Sequence, residues 1–271
     1  MNGFDIQVAS PHLDPAALRA RVMVSRLVTA PREVDDDGAA YEDEAMTPSP
    51  AWRALEDEEA QALLTPAAAE PRFFGQVGLV NAPGAAVEAL TRLADEQASR
   101  LQERSLRSSV SDIRDRLHAV VAAIPGVRPV GPMLSVSHGR GTGGLLTVTR
   151  GKDGRRIGLH VDSWDGVDLK GRRRASNRLA VNTGQAPRYF LFLPRQVANM
   201  PDKTGADSKE ALDLVRAYVR LFEDDRVFRL EVRPGEAYVA PTENIIHDGS
   251  SDGAVGQDRT AMVRGYIHLD R

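Results

Sequence analysis

The sequence predicts a mainly β fold, a double-sheet barrel backed by helices, and three observations carry that expectation. From Gly131 onward, short β-branched or aromatic runs recur, separated by Gly, Pro, Asp or Asn. Before them, two stretches place apolar residues at helical spacing. The length of 271 residues suits one large domain or two small ones, and a helical N-terminal layer supporting a C-terminal barrel makes residues 1–271 read as one domain.

Taken in order, the first 80 residues read irregularly. Asp35 to Glu44 (DDDGAAYEDE) is acidic and TPSPAW follows it, the texture of a solvated loop or of a flap over a site. Ala85 to Arg104 carries Val87, Leu90, Ala94 and Leu101 on one helical face. Ser111 to Ile124 does the same with Ile113, Leu117, Val120 and Val121, and stops at Pro125-Gly126. Nine strand candidates come next: MLSVSH, LLTVTR, RIGLHVD, RLAVNT, RYFLFLP, VFRLEV, EAYVAP, NIIHDG and AMVRGYIH. Gly139 to Gly144 matches GxGxxG in form, but a dinucleotide fingerprint needs a helix after the loop. LLTVTR reads as a strand, so the loop reads as a hairpin connection. Asp207 with Glu210 forms a capping box ahead of Ala211, Leu214, Val215, Tyr218 and Phe222, a helical insert over about 207–222. The chain therefore divides into a helical and irregular support region, 1–130, and a barrel core, 131–271.

Composition removes several function classes. A net charge of −3 excludes polyanion binding through bulk charge. No apolar run reaches the 18–20 residues of a membrane span. The opening MNGFDIQVASPHLDP lacks a basic segment followed by an apolar one, so no signal peptide is expected. With no cysteine there is no disulfide framework, thiolate zinc site or cysteine nucleophile, which fits the cytoplasm. Of the 35 basic residues 31 are Arg, a codon bias that suggests a high-GC bacterial origin.

Chemistry concentrates on the histidines. His160-Val161-Asp162 ends an apparent strand, where residues i and i+2 share a face, so an imidazole and a carboxylate converge. His247, 87 residues later in NIIHDG, supplies a third ligand if the sheet closes. Two His and one carboxylate with open positions form the facial triad of non-heme Fe(II) oxygenases. His12, His118, His138 and His268 read as structural or surface residues.

His160-x-Asp162, His247 and Arg259 resemble the HxD…H…R pattern of the Fe(II)/2-oxoglutarate-dependent dioxygenases. The resemblance covers roughly residues 130–271. It implies a double-stranded β-helix (a jelly roll, cupin-like) with N-terminal helices packed on one sheet. It also implies Fe(II) on His160, Asp162 and His247, and 2-oxoglutarate as cosubstrate with its far carboxylate on an arginine. A guanidinium suits that carboxylate because its fork donates two parallel hydrogen bonds. Arg259 is the preferred residue because the family's arginine usually opens this strand. Arg264, of opposite parity, is the alternative. Asn177 and Asn182 flank a strand where they are placed to assist 2-oxoglutarate. An Asp at position 162, where related halogenases carry a small residue, implies hydroxylation.

The implied reaction is oxygenation of a small metabolite, an amino acid or biosynthetic intermediate, with O2 consumed and succinate and CO2 released. Trp164 and Asp165 follow HxD closely enough to line the site mouth. The basic run Lys170 to Arg174, with Arg178, reads as an exposed loop or as a clamp for an acidic substrate or acidic carrier protein. It lacks the aromatic interleaving of a single-strand nucleic-acid site. Two other readings stay open: a cupin-like isomerase or cofactor-independent dioxygenase, and a non-catalytic jelly-roll binding module.

Overall fold

Side-chain alternation sorts each strand into two faces, and in β-strands at the centre of the sheets both faces are apolar, one toward a facing sheet and one toward helices. The computed structural model describes residues 4–30, 38–64, 75–102, 108–200, 211–222 and 225–270. Among them are strands β1 (Gln7–Ala9), β2 (Val22–Thr29), β3 (Tyr41–Pro48), β4 (Arg53–Ala54), β5 (Gln76–Asn81) and β6 (Val127–Thr142). There follow β7 (Arg156–Gly158), β8 (Asn177–Asn182), β9 (Arg188–Gln196), β10 (Arg226–Val232), β11 (Glu236–Ala240), β12 (Ile245–Ser250) and β13 (Gln257–Leu269). The helices are α1 (Pro15–Arg19), α2 (Asp57–Leu63), α3 (Gly84–Gln102), α4 (Ser108–Ala122) and α5 (Ala211–Leu221).

The strands form two sheets. One runs β1-β5-β11-β8-β13-β6; the other runs β12-β9-β10-β2-β3-β7, with β4 on β2. From β6 onward the chain crosses repeatedly between the sheets, the winding of a jelly roll. A bridge between His160 and His247 joins the β7 end of the second sheet back to β12, so that sheet nearly closes into a barrel.

Parity is consistent across the strands. On β8, Leu179 and Val181 pack toward α3 and α4, with Leu90, Leu117 and Val121; Ala180 faces the other sheet. On β13, Ala261 and Val263 join the helical side, while Met262 packs into the space between the sheets. On β9, Phe190 and Phe192 fill that inter-sheet core with Phe228 and Tyr238, and Leu191 and Leu193 pack under α5 against Leu214 and Tyr218. Inward positions on β8 and β13 are therefore the even-numbered ones.

Several expectations change. The region 1–130 is not only helical and irregular: five strands from it extend both sheets. Part of the acidic stretch, Tyr41 to Glu44, lies in β3, where Tyr41 is buried and bonded to the Thr147 hydroxyl at 3.0 Å. Residues 35–37 and the capping pair Asp207 and Glu210 lie outside the described residues. LLTVTR is not a ladder strand; its backbone bonds singly, as from Val148 N to Gly249 O. Gly139 to Thr142 is no hairpin loop, because β6 continues through it in register with β13. No helix of the described residues is long and apolar enough to cross a membrane.

Candidate metal centre

His160 and His247 face each other as a hydrogen-bonded antiparallel pair: His160 N donates to His247 O at 2.9 Å, and His247 N to His160 O at 2.8 Å. Directly opposed residues put their side chains on the same face, and the two rings lie 4.8 Å apart. Asp162, two residues beyond His160 in extended backbone and tied to Thr242 O through its N–H at 3.1 Å, projects to that face. One ligand atom from each of the three residues lies within 4.8 Å of the others, and all three residues are buried.

Both tautomers follow from bonding. His160 Nδ1 lies 3.0 Å from Gly158 O, and His247 Nδ1 lies 3.1 Å from Ile245 O. A carbonyl only accepts, so each Nδ1 carries a hydrogen and Nε2 is the atom that offers a lone pair in the neutral ring. Those Nε2 atoms lie 3.8 Å from the two Asp162 oxygens. The His247 contact is not an ion pair, because burial outweighs the nearby carboxylate and lowers that imidazole to about 3. Its Nε2 is buried without a partner. Burial alone would raise the Asp162 carboxyl, but Arg178, His247 and His160 outweigh it and hold it at about 2. Two buried lone pairs aimed at a carboxylate form a donor set that could hold a divalent cation.

Surrounding groups fix this geometry. Arg178 donates to Asp162 Oδ2 at 2.6 Å. Buried Arg172 donates to Asp162 O and Glu243 O, each at 2.7 Å, and Glu243 Oε1 accepts from Trp164 N at 2.7 Å. This clamp orders the loop that carries the carboxylate. Gly158 has φ +66, and a Cβ there would meet Met46 O at 2.5 Å, so only glycine lets β7 approach β3 at this point.

A second polar cluster lies farther inside the barrel. Arg188 is buried on β9 at the same parity as Phe190 and Phe192. Its Nη1 makes a loose contact with Asp258 at 3.5 Å, and its Nε has no partner. Its guanidinium lies over Gly249, where a Cβ would meet Nη2 at 2.7 Å. Gly249 is two residues from His247 on β12 and so shares its face, which puts a buried cation one step along the barrel from the imidazole. The buried Thr260 Oγ1 also has no partner.

The sequence-derived residues separate accordingly. His160, Asp162 and His247 converge. Arg259 does not join them: its side chain is exposed, has the parity of Ala261 and Val263, and bonds Gln257 Oε1. Arg264 has the inward parity, with its guanidinium 5.8 Å from the Trp164 ring centroid. Asn177 points away from the site, since it shares parity with Leu179; its Nδ2 donates to Ile267 O at 2.7 Å. Asn182 braces a turn through Ala186 O and Val232 O. Asp165 is engaged by Ser176, accepting from N at 2.6 Å and from Oγ at 3.0 Å. Within the basic run, Arg172 is part of the buried clamp rather than a free cation. Sequence reading missed Arg188, Arg172 and Glu243. An arginine in phase with two phenylalanines in RYFLFLP was the signal for the first.

No family model matches the chain, and no curated protein matches it. A solved structure that matches is that of AviO1 from Streptomyces viridochromogenes Tue57, with 15% identity, covering 72% of this chain and 89% of that chain at a TM-score of 0.34.

Proposed function

We propose that the chain is an Fe(II)- and 2-oxoglutarate-dependent oxygenase that hydroxylates a small metabolite, with release of succinate and CO2. The observation that carries this reading is the pairing of two unlike sites on one interior face. One is a His-Asp-His donor set with an unpartnered Nε2; the other is a buried arginine of β9 with an unpartnered Nε, lying over Gly249, two residues along β12 from His247. A metal alone explains the first site and leaves a buried guanidinium whose carboxylate contact, to Asp258, is loose at 3.5 Å. A dicarboxylate chelating the metal at one end and meeting a guanidinium at the other accounts for both.

The residues fit these groups. His160, Asp162 and His247 would hold the iron, and Arg188, in place of Arg259, would hold the far carboxylate of 2-oxoglutarate. When bound, iron and cosubstrate supply the oxidising chemistry that protein side chains lack. The chain's own part is positioning. Gly158 O and Ile245 O fix the two imidazole tautomers; Arg178 engages one Asp162 oxygen and so orients the other. Phe190, Phe192 and Tyr238 wall the interior against water. The carboxylate of Asp162 takes the place that a halide would need, which favours hydroxylation.

The test is turnover of the Fe(II)-loaded chain with 2-oxoglutarate and O2 across a panel of amino acids and small biosynthetic acids. The expected result is succinate formation coupled, for one panel member, to a mass gain of one oxygen. Oxygen incorporation or isomerisation without 2-oxoglutarate would favour the cupin-like reading instead.

A further inference from the structure

Beside the metal centre, two arginines stand directly opposite one another. Arg264 of β13 and Arg178 of β8 are register partners, and both have the inward parity. Like charges across a ladder repel, so a pair of this kind persists only where negative charge answers it. Asp162 answers Arg178 at 2.6 Å. Arg264 has no carboxylate partner among the described residues, and its Nε is buried without a hydrogen bond. Its other register partner is Ser135 of β6, and its guanidinium lies 5.8 Å from the ring centroid of Trp164, a side chain 68% exposed yet carried on a backbone that Glu243 anchors. Trp164 follows the candidate ligand Asp162 by two residues, and Arg178 links Asp162 to the strand position opposite Arg264, so this unanswered cation stands beside the candidate metal centre. It is separate from Arg188, which lies over Gly249 on the opposite sheet.

We propose that Arg264 binds an oxyanion of the substrate, with Arg178 reinforcing the local positive field and Trp164 covering the bound group. The substrate class is thereby a small acid carrying a carboxylate or phosphate close to the carbon that reacts. What happens to that acid rests on the oxygenase reading; the anion site itself does not.

The experiment titrates the full chain with phenylacetate, phenyl phosphate and neutral phenylacetamide, reading tryptophan fluorescence, with and without anaerobic Fe(II). At least one of the two anions is expected to give a saturable change that Trp164→Phe removes, while phenylacetamide gives none; the stronger anion identifies the source of the oxyanion. Arg264→Gln should weaken that binding by about tenfold or more, since a charge-assisted contact to a partly sheltered guanidinium is lost. Arg264→Lys should retain part of it, and it serves as the test if the glutamine variant fails to fold. Arg188→Gln should leave the probe response intact. The proposal is overturned if neither anion gives a saturable response, if phenylacetamide binds as tightly as phenylacetate, or if folded Arg264→Gln or Arg264→Lys binds as tightly as wild type in every respect. Anion binding without any Fe(II) binding would instead sink the oxygenase reading and leave this site standing.

Discussion

His247 shows how burial prepares a candidate ligand. Its imidazole is lowered to about 3 by desolvation, so at neutral pH it offers a lone pair with no proton to displace. Removing it, as in His247→Ala, or removing its partner, as in His160→Ala, should abolish tight metal binding and leave the barrel folded. Even outer partners of metal ligands typically contribute about 10–100-fold to affinity, so loss of a direct ligand should exceed that range in an anaerobic Fe(II) titration. On the proposed oxygenase reading, Asp162→Gly should lose hydroxylation and open a position for chloride. Arg188 and Arg259 give opposite expectations. Arg188→Gln should weaken 2-oxoglutarate binding by about 2–5 kcal/mol, roughly 30- to several-thousand-fold, with iron affinity nearly unchanged. Arg259→Ala, whose guanidinium is exposed and bonded to Gln257, should have no effect in the same titration.

Among the elements, β7 and the loop after it bear the most on the centre. Gly158 combines a left-handed φ of +66 with a close approach to Met46 O, and its own carbonyl accepts from His160 Nδ1. Gly158→Ala should therefore lower stability and metal affinity together, a coupling that thermal melts and metal titration of one variant would reveal. Arg172→Ala breaks a buried pair with Glu243 and should cost about 3–5 kcal/mol in chemical denaturation. How far such features were legible varies with their physical origin. The HxD pair was legible because period-two alternation is local, and α3 and α4 because a helical stripe is local too. Arg259 and Arg264 were legible as opposites in parity, but which parity faces inward depends on α3 and α4 covering one side of β13. The polar run YEDEAMTP gave no strand signal. It becomes β3 because β2 and β7 supply its ladder partners, a case of tertiary context overriding propensity. LLTVTR failed in the other direction: its residues suit a strand, yet the chain there is held by single bonds to the segment around Gly249 and Ser251.

On the scale of the whole molecule, the barrel places a polar, electrically tuned interior between three apolar clusters, and this has a consequence for stability. His247 is lowered from 6.5 to about 3 by burial, and Asp162 from 3.8 to about 2 by Arg178 and the imidazoles against the opposing effect of burial. In both cases the unfolded chain binds the proton first. The contribution of His247 to stability is thus complete above pH 6.5 and falls as pH drops toward 3; that of Asp162 falls between 3.8 and 2. Each such group adds a slope of up to about 1.4 kcal/mol per pH unit within its window. Metal-free chain should therefore lose stability steadily below pH 6.5, and His247→Phe should flatten that loss in denaturant melts. On the proposed reading, one interior face holds both a metal and a dicarboxylate. The most direct test of that reading is an anaerobic titration of the Fe(II)-loaded chain with 2-oxoglutarate, followed by visible absorption. A saturable metal-to-ligand charge-transfer band, right-shifted to much higher concentration in Arg188→Gln and unmoved in Arg259→Ala, is the result expected. No band in the wild-type chain, with iron demonstrably bound, would contradict the account.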